Sequence, residues 1–233
     1  MRNPPPQERH AAVLSTRLLL RDAVRAYLRF LPVSAAVMTV RLVPFYVLFW
    51  FLTPGTDATH AVMETAVAVP CVAALVRIVW NGSDEAHPRF ADSLLGASPV
   101  ATLKLLVTNL FLLTVALMVA QYSPQWFLGF IIVWTWAALV TDQVVLIEGK
   151  MMITAIARSY SIVRRAWKPS LLGLVAVLLP EALNLTITEF VPEALKKELL
   201  TRGVTLLFLP FSTTVLTLLY ERTESLAAPP VDR

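Results

Sequence analysis

The chain is dominated by apolar runs of about 20 residues, the length an α-helix needs to cross a hydrocarbon layer of roughly 30 Å. Such runs occur near 31–52, 59–80, 103–121, 126–147, 169–188 and 203–220. Backbone inside a bilayer has no water to bond with, so these runs are expected to be helices. A β-barrel would require short alternating segments, which are absent. Hydrophobic residues make up 57% of the chain and charged residues 15%, whereas a soluble domain is about one quarter charged. The expected fold is therefore all-α: a polytopic membrane helical bundle with six transmembrane helices plus interfacial amphipathic helices. A single membrane domain is expected over 11–226. The stretches 1–10, with Pro4-Pro5-Pro6, and 227–233, with Pro229-Pro230, read as disordered. The first 30 residues are Arg-rich and lack a short apolar core with a cleavage site, so a signal peptide is not expected.

Positive charge sets the expected orientation, because cytoplasmic connections retain Lys and Arg. With the amino terminus inside, its flank carries Arg2, Arg9, Arg17, Arg21, Arg25 and Arg29. Arg77, Arg89 and Lys104 follow between the second and third spans, and Lys150, Arg158, Arg164, Arg165 and Lys168 between the fourth and fifth. The tail adds Arg222 and Arg233, against only Lys196, Lys197 and Arg202 on the other side. Trp50 and Trp126 at one boundary and Trp80, Trp167, Tyr27, Tyr160 and Tyr220 at the other fit headgroup-level belts. Both termini are thus expected in the cytoplasm. The basic balance, pI near 9.5, is read as a topology signal and not as nucleic-acid binding. Cys71 is the lone cysteine, which excludes an intrachain disulfide.

The basic connections have helical periodicity. Over 14–30, Arg17, Arg21, Arg25 and Arg29 recur every four residues, while Leu20, Val24, Tyr27, Leu28 and Leu31 form another face. Between the fourth and fifth spans, Met152, Ile156, Tyr160, Val163 and Trp167 form the apolar stripe, opposed by Arg158, Arg164, Arg165 and Lys168. Helices of this kind bury one face in the acyl boundary and reach anionic phosphates with the other. Arg17, Arg21, Arg25, Arg29, Arg158, Arg164, Arg165 and Lys168 are accordingly the candidate lipid-headgroup contacts. Recurrence of Arg25-Ala26-Tyr27 and Arg158-Ser159-Tyr160 hints at a unit used three times: interfacial helix, span out, span back.

Charges inside spans cost roughly 3 kcal/mol each on insertion scales and need a reason. Arg41 and Glu181 fall at similar depth and form a candidate intramembrane ion pair. Two readings stay open for them: a polar path, or a structural pair that fixes helix register. Glu64, Asp142 and Glu148 are further candidate polar span residues. Pro44, Pro70, Pro180 and Pro210 lie inside spans and promote kinks. Motifs of soluble enzymes are missing: there is no nucleotide loop, no metal-type His/Cys spacing and no nucleophile elbow. No catalytic residue, cofactor or metal is expected.

The segment Val144-Val145-Leu146-Ile147-Glu148-Gly149-Lys150, then Ala155-Ile156-Ala157-Arg158-Ser159-Tyr160-Ser161-Ile162-Val163-Arg164 and Trp167, carries a resemblance. It resembles bacterial six-helix membrane proteins related to the membrane domain found beside some glycerophosphoryl diester phosphodiesterases. There a span ends in a Glu-Gly turn, and an Ala-x-x-Arg-Ser helix leads into the next span. Asp92-Ser93-Leu94-Leu95-Gly96 and Leu218-Leu219-Tyr220 are similar to that layout, whereas Tyr220-Glu221-Arg222-Thr223 departs from the usual finish. The resemblance implies a bacterial inner-membrane location; phosphodiesterase chemistry belongs to a separate domain. The leading expectation is a non-enzymatic scaffold or accessory subunit that engages anionic lipids or partner membrane proteins. The alternative is a small transporter or permease component using Arg41 and Glu181.

Overall fold

The computed structural model describes residues 15–52, 57–82, 98–122, 124–192 and 194–227; at 41–52, 57–61, 63, 64, 124, 194, 195, 197–199 and 227 only the backbone is described. Seven helices occur among the described residues: α1 (Thr16–Leu52), α2 (Asp57–Gly82), α3 (Pro99–Tyr122), α4 (Pro124–Ala137), α5 (Met152–Arg165), α6 (Trp167–Phe190) and α7 (Ala194–Ala227). Six segments are long and apolar enough to span a membrane, the fourth running from Gln125 to Glu148. The chain is a multi-pass α-helical membrane protein.

Two elements depart from simple spans. The expected surface helix at 14–30 and first span at 31–52 form one unbroken helix of 37 residues, α1. At about 1.5 Å per residue it is about 55 Å long, well beyond a hydrocarbon layer of roughly 30 Å. Pro32 and Pro44 both lie within it, yet the helix continues through them from Thr16 to Leu52. All four of Arg17, Arg21, Arg25 and Arg29 are exposed along its first turns. The fourth span is the opposite case, because it does not stay helical. After Ala137 the chain turns at 138–140, resumes as a single turn over Thr141–Gln143, and passes into a π-helix at Val144–Glu148. Gly149, in the left-handed region at φ 70°, closes it, a conformation open to glycine without steric cost.

Helix α7 packs against α1, α2 and α6, and α3 joins α2 to α4. The second half of α7 is hydroxyl-rich: Ser212, Thr213, Thr214, Thr217 and Thr223 are buried. Thr214, Thr217 and Thr223 each donate to the carbonyl four residues back, at 2.8 Å, so their polar groups are satisfied without lipid contact. Their small size lets neighbours approach closely. Gly173 of α6 gives another close approach. A Cβ there would lie 2.9 Å from Leu216 and 3.0 Å from Leu139. The side chain of Leu139, within the turn of the fourth span, is therefore seated against bare backbone of α6.

Candidate functional site

A cavity of about 330 Å³ lies between α2, α3, the fourth span, α6 and α7. Its wall is mostly apolar, with Leu112, Leu113, Ile131, Leu139, Val177 and Leu216 among the contributors. The polar groups are Thr65 of α2, Asn109 of α3, and Trp134, Thr135 and Asp142 of the fourth span. Asn109 donates to Asp142 Oδ1 at 3.0 Å and to the Leu105 carbonyl at 3.2 Å. No Lys or Arg lies within ion-pair distance of Asp142 among the described residues. The Trp134 indole N–H is buried and has no hydrogen-bond partner there. A carboxyl group and an unused donor thus share one mostly apolar cavity, where each is costly unless something binds to it.

The turn beside Asp142 explains how this carboxylate reaches the chamber. Neither glycine nor proline occurs in Ala138-Leu139-Val140, so tertiary contacts must hold the helix open. Ser159 of α5, fully buried, supplies the main one: its Oγ accepts the Val140 N–H at 3.1 Å. Leu139 fills the space left by Gly173. Gln143 Nε2 donates to Thr217 Oγ1 at 3.4 Å. Ser159→Ala would orphan the Val140 amide and is expected to destabilise by about 1–3 kcal/mol. Amide exchange measured by mass spectrometry should then accelerate at 138–141 before it does in α7.

At the basic end, six residues beyond Asp142 in sequence, an ion cluster closes the bundle. Glu148 accepts from Lys150 Nζ at 2.6 Å, Arg158 Nε at 2.9 Å and the Tyr220 hydroxyl at 3.0 Å. Arg158 also reaches Glu224 of α7, Nη2 to Oε2 2.5 Å. Burial alone would lower the Arg158 pKa; its hydrogen bond to Glu148 and the charges of Glu224 and Glu148 outweigh this and hold it above its ordinary value. The guanidinium therefore stays charged. Lys104 Nζ donates to the Gly149 carbonyl at 3.2 Å, and the Met152 amide donates to Thr108 Oγ1 at 3.1 Å, tying α3 to the same corner. Asp22 of α1 accepts from Arg21 at 3.1 Å and pairs with Arg222 of α7.

The sequence-derived candidates thus fall into separate places. Asp142 faces the cavity and Glu148 is the hub of the cluster. Arg158 is engaged inside the bundle, whereas Arg164, Arg165 and Lys168 are exposed, the last with its ammonium 5.5 Å from the Trp167 ring centroid. Glu181 lies on the exposed side of α6. The side chains of Arg41 and Glu64 are outside the described ones, and so is the expected Arg41–Glu181 pair. The sequence alone does not single out Asn109, Trp134 or Glu224. Asn109 is legible as an amide within an apolar span, as Gln121 is at its end; Trp134 and Glu224 carry no local signal.

Fold and cavity together define a multi-pass membrane protein with a mostly apolar cavity among its spans, into which a few polar groups face. No family model, curated protein or solved structure matches this chain.

Proposed function

We propose that the protein is a small transporter or permease component whose solute site is the Asp142 cavity. The observation that carries this reading is the interrupted fourth span: its break places an unpaired carboxylate against Asn109 inside a chamber between helices. Irregular backbone at membrane depth is tolerated where it lines a cavity, and discontinuous helices beside ionisable groups are a recurrent design for solute sites. π-segments likewise concentrate at functional positions. The chemistry favours a monovalent cation or a small protonated amine, with the carboxylate as counter-charge and the Trp134 N–H and hydroxyls as orienting groups. A chamber of about 330 Å³ lies at the small end of ligand pockets. This reading uses Asp142; the Arg41 and Glu181 pair of the sequence-based alternative lies outside the described side chains. Both termini in the cytoplasm of a bacterial inner membrane, and kinship with the phosphodiesterase-associated membrane domain, belong to the same proposal and rest on the charge count and the 144–167 segment.

Reconstitution into proteoliposomes tests it. Sodium, potassium and methylammonium uptake, with a pH-sensitive dye for proton movement, should show saturable flux for at least one cation. Flux indistinguishable from empty vesicles for all four would reject the transport reading. A second reading, a non-enzymatic scaffold or accessory subunit held to anionic lipid, is favoured by the exposed Arg164, Arg165 and Lys168 beside the half-exposed Trp167. It would then be the one left.

A further inference from the structure

A second groove, of about 280 Å³, lies at the basic end between α1, α2 and α7, away from the Asp142 chamber. Its floor is apolar, formed by Phe30, Val79 and Leu218, and its rim carries Arg25 and Arg29. These arginines are one helical turn apart on α1, so both guanidinium groups serve the same edge. Both are exposed. Asp22 also lines the groove, with Arg21 and Arg222 on its carboxylate, and the Arg29 guanidinium lies 5.3 Å from the Phe30 ring centroid; among the described side chains there, arginines outnumber the one acid.

We infer that this groove holds the phosphate of an anionic phospholipid, with the adjoining glycerol and upper acyl carbons on its apolar floor. Charge complementarity selects the phosphate, since arginine presents a planar fork matched to phosphate oxygens. Two features select a lipid over a soluble phosphate. The floor is hydrocarbon, for which inorganic phosphate has no use. Arg29 is also the last charge before the uncharged stretch 30–40 of α1, which puts the rim where headgroups meet acyl chains. Gly82, at the end of α2, keeps the floor low: a Cβ there would fall 2.4 Å from the Phe30 ring. This inference does not depend on the transport reading, because it uses different residues and needs no flux.

The experiment is native mass spectrometry of the purified full chain, titrated with phosphatidylglycerol or phosphatidylcholine. The wild type is expected to retain phosphatidylglycerol in preference, at about one lipid per chain. Arg25→Gln with Arg29→Gln should weaken that retention roughly tenfold to thirtyfold, two interfacial charges being removed. Lys196→Gln with Lys197→Gln, equal in charge removed but outside the groove and on the other side by the charge count, should leave it nearly unchanged. Equal losses in the two double variants, or equal retention of the two lipids by the wild type, would overturn the inference. So would displacement of the lipid by millimolar inorganic phosphate, which would identify a soluble-phosphate site. Should the groove variant not fold, the wild-type lipid preference and the phosphate competition still decide the matter.

Discussion

Asp142→Asn is expected to abolish cation uptake in proteoliposomes while leaving the protein folded. The substitution is nearly isosteric, and an amide oxygen still accepts the Asn109 hydrogen bond seen at 3.0 Å. What it removes is the counter-charge. Losing one member of a buried, hydrogen-bonded charge pair costs 2–5 kcal/mol or more, so cation affinity should fall by about thirtyfold at least. Stability should move the other way or not at all, because an unpaired charge within a span carries a penalty of roughly 3 kcal/mol on insertion scales. Initial uptake rates and thermal melting, measured on the same preparation, separate the two effects. Full uptake by a folded Asn variant would remove Asp142 from the site; a variant that does not fold would make it an architectural residue.

The second large effect is expected at Arg158. Its guanidinium bridges α5 to Glu148 and to Glu224 of α7, and these side chains are only 23%, 17% and 26% exposed. Arg158→Ala leaves the Glu224 carboxylate without its cation and takes one of the three groups donating to Glu148. Breaking a buried pair from one side costs 3–5 kcal/mol. Partial exposure and the surviving Lys150 and Tyr220 contacts lower the expectation to about 2–3 kcal/mol. Lysine should not restore it, since one ammonium cannot reproduce the divergent Nε and Nη2 bonds. Combining Arg158→Ala with Glu148→Gln and Glu224→Gln should recover much of the loss, because no uncompensated carboxylate then remains and Lys150, which loses its acid, is exposed to solvent. Melting temperatures across this set check it. An additive triple variant would show that the three side chains act independently.

The helical class and the six spans were legible because they rest on length and apolar content, which a bilayer constrains more tightly than any packing interaction does. The basic faces of α1 and α5 were legible through their periodicity. Where the surface helix ends and the span begins was not, because Pro32 marks a break at the expected junction and the helix nevertheless runs through it. The break at Ala138-Leu139-Val140 was invisible for a deeper reason: its residues are ordinary helix residues. The hydroxyl that satisfies Val140 comes from Ser159, and the space for Leu139 comes from Gly173, both distant in sequence. Asp142 could be identified as costly from its position alone, but its partner could not, since pairing with Asn109 depends on how α3 and the fourth span meet. Arg158 shows the same limit. Its place on the polar face of α5 suggested lipid, and only tertiary packing sets it against Glu148 and Glu224.

The π-helix at Val144–Glu148 has a consequence for the two acidic residues that flank it. A regular α-helix assigns every side chain an azimuth fixed by its position in the count, so the bearing of Asp142 would dictate that of Glu148. The wider turn puts an extra residue into the winding and resets the compass between them. One carboxylate can then point into the chamber while the other, on the same span, meets Arg158, Lys150 and Tyr220. Removing a single residue from 144–148 would restore regular winding and swing one of the two off its bearing, whichever residue was taken. The irregular turn therefore works as a phase shifter, letting one helix serve two addresses that its own geometry would otherwise hold in lockstep.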